Sequence, residues 1–195
     1  MKTLLILIVF IAAIVQFFIT RSTQQTEQLC YTVIKQYDKF EIRKYDPALF
    51  SSVRLYKKGY KASSSEGFRI LAGYIFGDNE SNEKIAMTSP VMMELGDSAK
   101  MRFMVPKNYN LKNLPNPTNN KIVFEKQDEK IFAAISFDGW ANDEKIEKYT
   151  SILKDELVKE KINFIDKFTF LGYNPPYEVI NRRNEIVVEL IDYKY

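Results

Sequence analysis

The stretch SSEGFRILAGYIF, residues 64–76, decides the fold, because it is the first of two helical patterns that interrupt a series of strands. Its apolar residues recur at positions i, i+3, i+4 and i+7: Phe68, Leu71, Ala72 and Ile75. That spacing gathers side chains on one helical face. Gly77 follows at the position where a glycine commonly ends a helix. The pattern predicts an amphipathic helix here.

Two strands are predicted before this helix and two after it. Residues 40–43 alternate apolar and charged side chains, which is typical of a half-buried strand. In residues 49–55, every second side chain is predicted to lie on the inner face of a second strand: Leu49, Ser51, Val53 and Leu55. Residues 85–95 and 100–105 are predicted as two more strands, joined by a turn at Gly96.

The same order recurs in the second half of the chain. Residues 107–121 are rich in asparagine and proline and have no periodicity, so we predict a crossing loop. The elements predicted beyond it are strands at 122–126 and 130–137, a helix capped by Asn142, and strands at 168–173 and 185–191.

The order strand-strand-helix-strand-strand therefore occurs twice. We predict an α+β fold, a distorted β-barrel of two pseudo-symmetric halves with two flanking helices. Trp140, which directly follows Gly139, is expected to close one end of the barrel.

The composition excludes several classes of protein. The 195 residues contain no histidine and one cysteine. A Ser-His-Asp triad, a histidine zinc site, an internal disulfide and a Cys-x-x-Cys redox pair are therefore impossible. The 28 basic and 25 acidic residues leave a net charge of +3, without the basic excess typical of nucleic-acid binding. Spacing does not bring Glu80, Glu83 and Glu94 together as a catalytic pair, so no enzyme is predicted.

The N-terminal run is strongly apolar. Residues 4–19 contain one polar residue, Gln16, between Lys2 and Arg21. The run is shorter than the ~20 residues that span a bilayer and longer than the ~7–15 of a signal-peptide core. An uncleaved anchor and a cleaved signal both stay open.

These features divide the chain into three parts. We expect an anchor or signal in residues 1–20, a polar tether in 21–30 and the folded domain in 31–195. Either role of the first part would place the domain outside the cytosol, membrane-anchored or exported.

Four short motifs are more specific than these patterns. They are YDKFEIRKY at 37–45, GYIFGDN at 73–79, KIAMTSPV at 84–91, and GYNPP at 172–176 followed by RRNE at 182–185. In this order and at these spacings they resemble the SOUL haem-binding protein family over residues 31–190. The resemblance implies a distorted β-barrel of two pseudo-symmetric halves with two flanking helices, in agreement with the pattern above.

The resemblance also implies a ligand. Family members bind haem and related tetrapyrroles reversibly in an apolar surface cleft, beside the first helix and near the loop before the last strand. The corresponding residues in this sequence are Phe68, Leu71, Ala72 and Ile75 on the helix, and residues 177–183 on the loop. We therefore expect a monomeric protein that buffers or transfers a tetrapyrrole, with the membrane as a further partner through the N-terminal run.

Iron coordination has few candidates. Some family members are thought to use a histidine, which this sequence lacks, and tyrosine is another residue type that binds ferric haem. Tyr74 and Tyr177 are the candidates, with half-buried packing as the alternative role. Five methionines lie close together in the sequence: Met87, Met92, Met93, Met101 and Met104. They are expected either to form a soft wall for the ligand, with a thioether as a further candidate iron ligand, or to fill the core.

The arginines before the last strand have two interpretations. Arg182 and Arg183 either hold the propionates of the ligand or pair with Glu185 and backbone carbonyls and thereby fix the loop. Two other functions also stay open: a small-molecule hydrolase that uses carboxylates and tyrosine in the same cleft, and a domain that binds an apolar helix or peptide.

Overall fold

A computed structural model describes residues 6, 7, 11, 14–16, 21, 25–56, 59–96 and 98–194. The expected anchor or signal lies mostly outside these residues, and so does part of the expected tether, so both remain predictions. Within the described part of the chain, no helix combines the length and the apolar character needed to cross a bilayer.

The folded part that the structure describes consists of nine strands and two helices. The strands are β1 (Tyr31–Gln36), β2 (Glu41–Tyr45), β3 (Ala48–Leu55), β4 (Val91–Glu94), β5 (Ala99–Met104), β6 (Ile122–Gln127), β7 (Lys130–Asp138), β8 (Phe164–Gly172) and β9 (Arg183–Leu190). The helices are α1 (Tyr60–Ile75) and α2 (Asp143–Lys159).

All nine strands belong to one curled antiparallel sheet, a half-barrel, in the order β1-β2-β7-β9-β8-β4-β5-β3-β6. The strand order is symmetric about the junction between β8 and β4. This symmetry relates β4 to β8, β5 to β9, β3 to β7 and β2 to β6. The first strand of each half pairs with the second strand of the other half, since β2 pairs with β7 and β6 pairs with β3. The predicted α+β fold of two strand-strand-helix-strand-strand halves is confirmed.

Two elements differ most from the prediction, while α1 and β8 each begin four residues earlier than predicted, at Tyr60 and Phe164. Strand β1 was not predicted, because it is an edge strand without a buried side chain, so no alternation marks it. The strand predicted at 85–95 is limited to Val91–Glu94. Pro90 lacks a backbone N–H, and before it the Thr88 hydroxyl donates to the Met104 carbonyl at 2.6 Å.

Each face of the sheet carries its own hydrophobic core. On one face α1 packs against β3 and β5, and α2 packs against β7, β8 and β9. Gly67 lets α1 approach the sheet closely, because a Cβ there would lie 2.8 Å from Leu55 Cδ1. A second core on the opposite face is built around Phe50, Met92 and Leu171. Both helices therefore lie on the same face of the sheet.

The N-termini of the two helices meet at one carboxylate. Asn142 caps α2 by accepting from the Lys145 N–H at 2.8 Å, as predicted. The next residue, Asp143, instead accepts from the first two N–H groups of α1, from Tyr60 at 2.6 Å and from Lys61 at 3.2 Å. Gly59 stands before α1 with φ of 83°, and a Cβ there would lie 2.9 Å from the Asp143 carboxylate. The two halves are thereby connected beside the loop that precedes β9.

Candidate functional site

The apolar stripe of α1 is the core face of the helix. Leu71, Ala72 and Ile75 are buried in the helix-side core. Phe68 is 39 % exposed, with its ring 5.4 Å from that of Phe103. Of these four predicted contacts, Phe68 alone presents substantial surface to a ligand; the assignment of all four remains a prediction.

Tyr74 lies inside the fold. Its side chain is 1 % exposed, and its hydroxyl donates to the Pro115 carbonyl at 2.9 Å. Burial raises the pKa of Tyr74 above its ordinary value, so the neutral phenol is favoured over the phenolate that would bind ferric iron.

A cavity of about 520 Å³ lies beside the second half of α1. Its walls are mainly polar and consist of Arg69, Ile70, Tyr74, Asp78, Thr118, Asn119, Asn120 and Ile122. Tyr74 is the predicted site residue that borders it. This cavity does not have the apolar walls expected of a tetrapyrrole cleft.

Exposed apolar side chains gather instead on the loop between β8 and β9. Tyr177, Val179 and Ile180 are 65 %, 60 % and 54 % exposed, while Glu178 between them is buried. Trp140, just before α2, is 52 % exposed and is joined to this loop through Arg182. We call Trp140, Tyr177, Val179 and Ile180 the apolar loop surface. The expectation that Trp140 closes the barrel is wrong, because Trp140 lies on the surface with the Arg182 guanidinium over its ring.

Arg182 holds the loop together. Its Nη1 donates to the carbonyls of Pro175 and Glu178, at 2.8 Å and 2.5 Å, and its Nη2 donates to the carbonyl of Asn174 at 3.3 Å. Its guanidinium lies 4.1 Å from the Trp140 ring centroid, a cation–π distance. These contacts match the interpretation in which Arg182 fixes the loop.

The first turn of α1 borders the same region. Burial raises the pKa of Tyr60, and the nearby Arg182 guanidinium opposes that shift. The Tyr60 ring packs edge-on against Phe170 of β8, with centroids 5.0 Å apart. Lys61, the next residue, is exposed. Lys61 is thus an exposed cation one residue from Tyr60, whose side chain lies near Arg182 of the loop.

Arg183 belongs to a buried ion-pair network rather than to the loop. The Glu185 carboxylate is fully buried and accepts from Arg43 at 2.7 Å, from Arg183 at 2.7 Å and from the Tyr173 hydroxyl at 2.8 Å. Burial by itself would raise the pKa of Glu185, but the hydrogen bonds and charges of Arg43 and Arg183 outweigh it and lower that pKa. The ionised carboxylate is stabilised inside the fold.

The methionines fill the cores. Met92, Met93, Met101 and Met104 are buried, and Met87 is partly buried against the helix-side core. Among the residues that the structure describes, no group of three or more Cys, Asp or Glu side chains is placed to hold a metal ion.

The family resemblance placed residues 177–183 beside the ligand without singling out Val179 and Ile180, and sequence reasoning missed the role of Trp140. A signal for the two loop residues was available: apolar side chains at 177, 179 and 180 directly follow a Pro-Pro turn, where polar residues are usual. No pattern along the chain connects Trp140 to that loop, because the contact runs through Arg182, more than 40 residues away.

The architecture defines the class of protein: a two-helix α+β half-barrel whose halves exchange strands and which carries an exposed apolar loop between β8 and β9. Residues 26–189 match the family model described as SOUL heme-binding protein. The chain belongs to the SOUL haem-binding protein family, as its motifs indicated.

Curated relatives agree with this assignment. Heme-binding protein 2 of Mus musculus is 30 % identical over 156 residues, which cover 75 % of this chain and 76 % of the relative. Heme-binding protein 1 of Xenopus laevis is 28 % identical over 155 residues, which cover 75 % of this chain and 81 % of the relative.

Solved structures share the fold. The EcmrR C-terminal domain superposes with a TM-score of 0.61 at 9 % identity, covering 85 % of this chain and 100 % of that domain. A hydrolase from Listeria innocua superposes with a TM-score of 0.55 at 9 % identity, covering 81 % and 94 %. At such low identity, these similarities concern the fold alone.

Proposed function

We propose that this chain is a binding protein that takes up haem or a related tetrapyrrole reversibly on the apolar loop surface, for buffering or transfer. The observation that carries the proposal is the exposure of Trp140, Tyr177, Val179 and Ile180 next to one another on a chain of the SOUL family. Apolar patches of this kind commonly mark ligand or partner sites.

The chemistry of this surface suits a flat macrocycle with an anionic edge. The aromatic and branched side chains of the loop provide apolar contact for the ring. Lys61 in the first turn of α1 is exposed and provides a cation for a propionate. Arg182 contributes indirectly to ligand binding, because its guanidinium holds Trp140 and the loop in place.

Apolar contact, not iron coordination, supplies most of the affinity in this proposal. The sequence has no histidine, and the Tyr74 hydroxyl is engaged inside the fold. Tyr177 is the exposed tyrosine of the apolar loop surface and the remaining candidate axial ligand. When bound, haem would bring its own redox-active iron; the protein residues supply binding and orientation.

Trp140 makes a direct test possible, because it is the single tryptophan of the chain. Haem added to the full chain should quench Trp140 fluorescence saturably. The double variant V179S/I180S should weaken binding by about tenfold, the equivalent of ~1.4 kcal/mol of lost apolar contact.

V158S on α2 is the matched control, because Val158 is 64 % exposed and lies outside the apolar loop surface. It should bind haem like the unchanged chain. Absence of saturable quenching, or equal affinities for all three proteins, would refute the proposed site.

We further propose that the N-terminal run anchors or exports the domain, so that the tetrapyrrole is handled outside the cytosol. The support is the apolar run at 4–19 with basic residues on both sides. The test is sequencing of the mature N-terminus together with alkaline extraction of membranes. A start near residue 23 indicates a cleaved signal, retention in the pellet indicates an anchor, and an intact, freely extracted chain contradicts both.

A further inference from the structure

The last residues of the expected tether lie beside the base of the loop between β8 and β9. Ser89 connects the two: its carbonyl accepts from the Leu29 N–H at 3.0 Å, and its own N–H donates to the Glu27 carbonyl at 2.9 Å. The hydroxyl of the same serine donates to the carbonyl of Tyr173 at 3.2 Å. Tyr173 directly follows β8 and is the first residue of the loop. The chain therefore enters the fold next to this loop.

The strand register puts Trp140 at the same end of the sheet. The end of β7 is paired with the start of β9, and the end of β8 is paired with the starts of β9 and β4. Trp140 follows the end of β7 by two residues, and Ser89 precedes the start of β4 by two. Both parts of the apolar loop surface and the entry point of the tether thus lie at one end of the sheet.

The connection from the apolar run to this end of the sheet is short. The run covers residues 4–19, and Glu27 is held by Ser89, so the seven residues 20–26 lie between them. A fully extended chain spans at most about 3.3–3.6 Å per residue, which limits this connection to roughly 25–30 Å. With the run anchored in a bilayer, as proposed above, this end of the sheet stays close to the membrane.

The side chains of the apolar loop surface suit the interface of a bilayer. Trp140 and Tyr177 are exposed, and tryptophan and tyrosine are the residue types enriched at membrane–water interfaces. Val179 and Ile180 add exposed aliphatic groups, whose transfer from water to the acyl-chain boundary is favourable. The surface therefore combines interfacial aromatic rings with aliphatic groups that can enter the bilayer.

The single acidic residue of the loop is withdrawn from this surface. Glu178 is buried, and its carboxylate accepts from the Asn174 amide at 2.9 Å. An exposed carboxylate would resist entry into a bilayer, because its charge would lose water. The exposed residues of the loop, at 176, 177 and 179–181, are all uncharged. The loop can therefore contact lipid without removing an exposed charge from water.

We propose that the apolar loop surface docks into the interface of the phospholipid bilayer that holds the N-terminal run, so that a tetrapyrrole passes directly between the membrane and the loop. The short connection keeps the surface at a high effective concentration beside the bilayer, so the loop needs no strong membrane affinity of its own. Such docking rests on the proposed anchor and tetrapyrrole site, and it gives that site a second partner, the bilayer itself.

The test uses the full chain, without tetrapyrrole, reconstituted into phosphatidylcholine vesicles and recovered with them by flotation. Trp140 is the single tryptophan, so its fluorescence reports on the loop surface and not on the N-terminal run. Phosphatidylcholine brominated near the ester end of its acyl chains should quench Trp140 relative to unbrominated lipid, and the emission should shift to shorter wavelength. Unquenched Trp140 on a chain that floats with the vesicles would overturn the docking, and is the result expected if this surface faced a protein instead.

A relocated tryptophan provides a matched pair of variants. W140F/V179W moves the tryptophan to the loop. W140F/V158W moves it to an exposed position near the end of α2, roughly 22 Å along the helix from Asp143. Brominated lipid should quench the first variant and leave the second unquenched. Equal quenching of both would mean that the domain meets the bilayer in no fixed orientation and would overturn the docking.

Two further measurements separate the docking from the proposals on which it rests. Alkaline extraction tests the anchor, and haem titration of the same chain in detergent tests the tetrapyrrole site. Docking alone fails when the chain resists extraction and binds haem in detergent while Trp140 stays unquenched on the vesicles. A chain that is extracted and shows no quenching overturns the anchor and the docking together.

Discussion

The Arg182 guanidinium lies 4.1 Å from the centre of the Trp140 ring and donates hydrogen bonds to the carbonyls of Asn174, Pro175 and Glu178. The Arg182 side chain therefore links Trp140, three residues before the start of α2, to the loop before β9. Since those two segments carry the apolar loop surface, the geometry of that surface depends on a residue that contributes little to it directly.

R182K should loosen this arrangement without changing the net charge. Lysine keeps a cation near Trp140 but cannot donate in a planar fork to three carbonyls. We expect haem affinity to fall by about three- to tenfold, measured by quenching of Trp140 fluorescence. R54K at an exposed position of β3 is the control and should behave like the unchanged chain. Equal affinities for R182K and R54K would show that Arg182 does not position the surface.

Haem and metal-free protoporphyrin should bind with similar affinity, within about threefold. The reason is that apolar contact with the loop dominates, since the chain has no histidine and the Tyr74 hydroxyl is occupied. Parallel titrations of the two compounds measure this. A preference for haem of tenfold or more, abolished in Y177F, would instead identify Tyr177 as an axial ligand.

D143A should destabilise the fold by about 0.5–2 kcal/mol, as expected for loss of a helix cap. The Asp143 carboxylate accepts from the first two N–H groups of α1, whose preceding residue, Gly59, offers no side chain. Urea unfolding gives the free energy. E144A controls for the loss of an acidic residue in the first turn of α2 and should cost less. A larger effect in E144A than in D143A would contradict the cap.

E185Q should cost about 2–4 kcal/mol of unfolding free energy, because it removes the fully buried carboxylate that pairs with Arg43 and leaves the buried guanidinium with the partly exposed Glu41 as its counter-charge. E189Q is the matched control: Glu189 pairs with Lys130 near the surface, and its loss should cost less than about 1 kcal/mol. Similar losses in the two variants, measured by urea unfolding, would show that the buried network adds no special stability.

The same network sets a pH dependence. The pKa of Glu185 is lowered in the folded state below its ordinary value of 4.5. Its contribution to stability is therefore complete above pH 4.5, declines as the pH falls below that value, and is lost below the folded-state pKa. The difference in unfolding free energy between the unchanged chain and E185Q should be constant at neutral pH and shrink in acid. A difference that grows on acidification would contradict the lowered pKa.

Local patterns were sufficient for most of the fold. The helical spacing of Phe68, Leu71 and Ile75 located α1, and Asn142 located the start of α2, because these signals are carried by neighbouring residues. Strand β1 escaped prediction because an edge strand that buries none of its side chains has no hydropathy pattern. The exchange of first strands between halves depends on pairing over long distances, and no local pattern encodes it.

The candidate site was less accessible from sequence. The residues that make α1 recognisable are apolar at helical spacing because they face the core, and the same pattern suggested a ligand face. The exposed face of a loop has no periodicity, so Val179 and Ile180 were predicted only as part of the range 177–183 that the family resemblance gave. Trp140 reaches the loop through a cation–π contact that only three-dimensional structure reveals.

The most direct test of the central claim is a map of the amide signals of the full chain that shift when protoporphyrin is added. We predict that the largest shifts fall on residues 177–182 and on the Trp140 indole, with smaller ones at Lys61. Shifts concentrated instead around Arg69 and residues 118–120, at the polar cavity beside α1, would contradict the account.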